Sequence, residues 1–143
     1  MSMENLGEVS TNVMSIRIKM NSLNNEIIRF INSYKTDNDD SFFINCNNDL
    51  INSLNENTNK LNQYMDDLKV IKNNKDNEDY KNLIPVCLDN VHIFDKLIFT
   101  INNAIDIIND KNISANESKV ELIDKLNNLL KIIDECVDFA ENI

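Results

Sequence analysis

Apolar residues recur along the first part of the chain at Leu6, Val9, Val13, Ile16, Met20, Leu23, Ile27 and Phe30, at intervals alternating between three and four. That spacing places one apolar seam along a helix and turns it toward another helix. It predicts a first helix over about residues 4–34, ended by the polar, Asp-rich run Lys35–Ser41. A second seam follows through Phe43, Leu50, Leu54, Leu61, Tyr64, Leu68 and Ile71, with Asn47 and Asn57 at seam positions, and predicts a helix over about 42–71. Residues 72–82, KNNKDNEDYKN, carry almost no apolar side chains and read as a flexible loop.

Leu83-Ile84-Pro85 opens the next helix, over about 85–110; proline suits a first turn, where its missing N–H costs nothing. Its seam runs through Cys87, Val91, Phe94, Ile98, Ile101, Ile105 and Ile108. Leu88, Leu97, Ala104 and Ile107 widen that face, so this helix is expected to be the most buried. The last helix, over about 115–142, carries Leu122, Leu126, Leu129, Ile133, Cys136, Ala140 and Ile143, thickened by Ile123, Leu130 and Val137. Ser114 and Glu117 have capping-box spacing at its start.

The pattern is all-α: one domain over residues 1–143, with four long helices as an antiparallel bundle or an extended coiled-coil-like assembly. The first two seams are narrower than the last two. Either the bundle closes on itself, or the first two helices form an arm whose packing another chain completes. On the second alternative Leu6, Val9, Val13, Ile16, Met20, Leu23, Ile27 and Phe30 are the partner-interface residues.

Composition narrows the class further. One Gly and one Pro in 143 residues cannot supply the turns of a β-rich fold, nor a glycine-rich phosphate loop. Asn fills about a fifth of the chain and Ile about a seventh, while Ala occurs three times, a bias that fits an AT-rich genome. The net charge is −10, with scattered lysines and two arginines, Arg17 and Arg29, so direct binding to nucleic acid or an anionic membrane is not expected. The start of the chain shows no signal-peptide pattern, and no stretch is apolar enough to span a membrane. Cys46, Cys87 and Cys136, odd in number and set among apolar neighbours, suit buried thiols in a reducing, intracellular compartment.

Catalytic chemistry finds no foothold. His92 has no second ligand at metal spacing, and Lys96 stands one turn on. The lone Gly7 falls inside a predicted helix, away from any nucleophile-bearing turn. Asp37, Asp39 and Ser41, and again Asp110, Asn112, Ser114 and Glu121, faintly resemble calcium loops. Phe42 and Ala115 stand where such loops require Gly. Asp66-Asp67 and Asp134-Glu135 read as solvated charge on polar helix faces. No catalytic residue, cofactor, metal or small-molecule substrate is expected.

The order of features carries a resemblance. Leu83-Ile84-Pro85-Val86, then Ile93-Phe94-Asp95, then Phe99-Thr100 and the run Lys119–Leu130 resemble the Mediator complex subunit 10 family, loosely over Leu50–Ile133. Lys96-Leu97-Ile98 stands where that family has Gly-Arg-Asn-Pro. The resemblance implies a non-catalytic helical subunit of a nuclear transcription co-regulator, bound to other helical subunits. From the residues themselves, the expectation is a helical subunit or adaptor of a multiprotein assembly. The alternative is a self-contained bundle that sequesters or inhibits one partner, as a pathogen effector does.

Overall fold

A computed structural model describes residues 3–36, 40–110 and 117–143, with side chains over 6–34, 47–110 and 119–143. The helices are α1 (Met3–Thr36), α2 (Asp40–Asn73), the single-turn α3 (Glu78–Lys81), α4 (Ile84–Asp110) and α5 (Glu117–Glu141). Asp37, Asp39, Asn112 and Ser114 lie outside the described residues, as do the side chains of Ser41, Phe43, Cys46 and Glu117.

α1 packs against α2 and α4, and α5 packs against the same two helices. The square is therefore α1–α2–α5–α4, with α1 facing α5, and α2 facing α4, across its diagonals. α1 and α2 form an antiparallel hairpin, as do α4 and α5. Residues 74–83 carry the chain from the end of α2 diagonally under the bundle to α4, which makes α1 and α4 parallel neighbours. Asn74 closes α2 by donating from its backbone N–H to the Val70 and Ile71 carbonyls and from its side chain to Val70. At this same end the C-termini of α2 and α5 are tied by Lys72, whose ammonium lies 5.1 Å from the centre of the Phe139 ring, and by Lys75 donating to the Ile143 carbonyl.

All four seams converge on one core. From α1 come Val9, Val13, Ile16, Met20, Leu23, Ile27 and Phe30; from α2 Leu50, Leu54, Leu61, Tyr64, Leu68 and Ile71; from α5 Leu122, Leu126, Leu129, Ile133 and Cys136. α1 and α2 are thus full members of the bundle, not an extended arm. In α4 the 3-4 rhythm runs through Phe94, Leu97, Ile101, Ala104 and Ile108, whereas Ile98 and Ile105 flank it and Leu88 is exposed. Both steppings share Phe94, Ile101 and Ile108; Leu97 and Ala104 lie on one side of that line and Ile98 and Ile105 on the other, and it is the side of Leu97 and Ala104 that turns to the bundle axis.

The polar stretch 72–82 is more ordered in pattern than its composition suggests. α2 continues to Asn73, and α3 stands inside it. Asn77 caps α3, its side chain accepting from the Asp79 N–H, and Tyr80 is buried as the anchor of the crossing. One buried aromatic side chain and the Asn77 cap mark the turn in a stretch that is otherwise Asn, Lys, Asp and Glu.

Candidate functional site

The side-chain volume along the α1–α2 seam is narrow, and its flank is left unfilled. Three open recesses follow one another along this flank. The first, about 380 Å³, is lined by Asn12, Ser15, Lys19, Glu56, Asn59 and Lys60, over a floor of Ile16 and Tyr64. The second, about 350 Å³, shares Lys19, Glu56 and Lys60 with it and adds Ile18, Ser22, Glu26 and Ser53. The third, about 210 Å³, shares Glu26 and adds Arg29, Phe30 and Asp49. Together they make one groove following α1 from Asn12 to Ser33, about 30 Å at 1.5 Å per residue.

The groove walls are polar and specific. Ser53 on α2 donates to both Glu26 carboxylate oxygens, at 2.8 and 2.9 Å, and so stitches the two helices midway. One turn and more toward the α1 start, Lys19 and Lys60 meet from opposite walls. The Lys60 ammonium alongside, with some loss of solvent, holds the Lys19 amine below its ordinary range; Glu56 partly offsets this. Two cations facing each other across a groove are stabilised by any anion that enters between them.

Beneath the groove lies an enclosed polar cluster. Asn90 on α4 donates through Nδ2 to the Val13 carbonyl at 3.0 Å and to the Tyr64 hydroxyl at 3.2 Å. The Tyr64 ring meets Phe94 edge-on, with centroids 5.5 Å apart. Cys87 and Cys136 are buried, free thiols around the same ring. Burial pushes Cys87 up to about 11 and Cys136 up to about 12, and drives Tyr64 well above its usual range, so none ionises near neutral pH.

Asp67 overturns its sequence reading. It is 3 % exposed, not solvated, while its neighbour Asp66 is exposed. Gln63 donates to one of its oxygens at 3.3 Å, and desolvation raises its pKa against the opposing help of Asn12 and Gln63. Asp134 and Glu135 are exposed, as read from the sequence. His92 is exposed beside Arg17, Asp89 and Ile93 in a shallow recess between α1 and α4. Among the described residues no three His, Cys, Asp or Glu side chains group as a metal site would require.

The eight residues proposed from the sequence as a partner interface take inward positions. Val9, Val13, Ile16, Met20, Leu23, Ile27 and Phe30 are buried in this chain's own core, and Leu6 packs partly buried against it. What α1 presents outward is a second, thinner stripe: Met14 (57 % exposed), Ile18 (72 %) and Ile28 (41 %), with Arg17 and Arg29 exposed between and beside them. Positions 14, 18, 21, 25 and 28 repeat the 4-3 spacing of the inner seam on the opposite side. That regularity was present in the sequence but masked by Asn21 and Asn25.

No family model, curated protein or solved structure matches this chain. The fold defines a class, the all-α four-helix bundle, and no helix among the described residues is long and apolar enough to cross a membrane.

Proposed function

We propose that this protein is a non-catalytic helical binding module, a subunit or adaptor of a larger protein assembly. The observation that carries the reading is the double character of α1, which fills the core with one face and keeps an apolar, arginine-bearing stripe on the other. Exposed large apolar side chains in regular register beside a groove suit a protein partner. The non-catalytic reading is supported by the state of the enclosed thiols, which sit protonated inside the core, where no substrate reaches them. A place among Mediator-like subunits rests on the sequence resemblance. Phe94, Leu122, Leu126 and Leu129, which help to carry it, are here core residues.

Affinity purification of the tagged full chain from its native cells in moderate salt, with quantitative mass spectrometry, tests the reading. Helical proteins retained at equal stoichiometry are expected; a chain recovered alone overturns it. Recovery of many transcription subunits together supports the Mediator-like place. Recovery of a single partner favours the second reading, a sequestering bundle, which the self-contained core of the chain independently supports.

A further inference from the structure

Charge along the chain is distributed unevenly. α1 carries Arg17, Lys19, Arg29 and Lys35 against Glu4, Glu8 and Glu26, a net +1, so everything outside it carries −11. α1 is the one long helix with more cations than anions, and it holds both arginines of the chain. Those arginines are exposed and bracket Ile18 and Ile28, at opposite ends of a stripe about 20 Å long. The Lys19–Lys60 pair belongs to the flank of α1 that faces α2, where Glu26 and Glu56 line the same recess, and is separate from this stripe. On α1 the outward strip that carries Arg17, Met14, Ile18, Ile28 and Arg29 holds no carboxylate, so apolar anchors and arginines coincide there.

The geometry points to an occupant: an acidic amphipathic helix of a partner protein, seated along the outer face of α1 with its apolar side chains on Met14, Ile18 and Ile28 and its carboxylates on Arg17 and Arg29. This deepens the protein-binding reading above and rests on it. A straight stripe at 4-3 spacing, about 20 Å long, matches the anchors of a helix, which recur every three or four residues. Arginine adds bidentate recognition of carboxylates at both ends of the strip. A second copy of this chain fits poorly. Antiparallel pairing of α1 with itself about Leu23 sets Arg17 against Arg29, like charge on like charge. A polyanion such as nucleic acid fits poorly as well, because the surrounding −11 repels it.

The test uses the full chain in its native cells, with a photo-crosslinking amino acid in place of Ile18 or, as a control on the outer face of α4, of Phe99, which is 75 % exposed. The expected result is a crosslink from position 18 to one protein segment rich in Asp and Glu with apolar residues at helical spacing. The double variant Arg17→Glu, Arg29→Glu is expected to reduce that yield about tenfold or more, as loss and reversal of two interfacial charges does. Because all the altered positions are exposed, circular dichroism of each variant should match that of the parent chain. A crosslink to another copy of this chain, to a basic segment, or to the same partner from position 99 alone overturns the proposal. So does sedimentation with phosphatidylserine vesicles that depends on Arg17 and Ile18, since the strip would then be a membrane contact. A stoichiometric partner retained equally by the parent and the double variant overturns the α1 site and leaves the binding reading standing. No stoichiometric partner for the parent overturns both.

Discussion

Asp67 is a carboxylate held where a carboxylate is costly. It projects from α2 into the interior, with Glu8 and Asn12 near it from α1, Cys87 from α4, and Asp66 and Gln63 on its own helix. One of its oxygens is buried without a hydrogen-bond partner. Desolvation dominates, so the folded chain holds the Asp67 proton more tightly than the unfolded chain does. The stability that this group contributes is therefore fully present below the ordinary carboxylate pKa and is lost as pH rises through the raised folded value. Asp67→Asn removes the charge and keeps the shape and an acceptor for Gln63. In urea unfolding, Asp67→Asn is expected to be more stable than the parent at pH 7, with the advantage shrinking toward pH 4. An advantage that does not change with pH would show that the charge is not what the site resists.

At the scale of the element, α1 carries two stripes with the same spacing and opposite energetics. Leu23 is 1 % exposed and touches the shared core; Ile18, five residues earlier, is mostly solvated. Leu23→Ala should cost about 2–5 kcal/mol, because its removal leaves a cavity in packed surroundings. Ile18→Ala should change the stability of the isolated chain by no more than about 0.5 kcal/mol. Denaturant midpoints of the two variants check this directly, and comparable losses would mean that the outer stripe is packed in solution. The same contrast explains what was legible beforehand. The inner seam announces itself through eight apolar residues in unbroken rhythm, and the helices follow from it. The outer stripe does not, because Asn21 and Asn25 interrupt it and three apolar residues fall below the level of pattern. Asn90 and Asp67 were equally hidden. Each is polar by type, and only the packing of α1 and α4 around α2 turns them inward, Asn90 to bridge Val13 and Tyr64. Tyr80 stood in plain sight in a charged stretch, yet its burial depends on where the diagonal crossing lands.

For the molecule as a whole, closure of the core decides how the chain folds. Its accessible surface is 7945 Å², close to the roughly 7,500 Å² typical of a folded monomer of this mass. An extended arm of two long helices would expose far more. Each hairpin supplies half the walls of the square: α1–α2 brings Leu23, Leu54 and Leu68, and α4–α5 brings Phe94, Leu126 and Ile133. Neither hairpin has a covered apolar face without the other, so both should melt together. Since no second chain is needed to complete the core, the midpoint of thermal unfolding should stay constant over about a hundredfold range of protein concentration, as mass action requires of a folded monomer. Calorimetry across that range, with sedimentation to verify a mass near 16.5 kDa, checks it. A midpoint that climbs with concentration would mean that association is built into folding, and the outer stripe of α1, with Ile18 at its centre, would be the first surface to examine. A constant midpoint leaves that stripe outside the folding reaction, free to serve a partner without putting the bundle at risk.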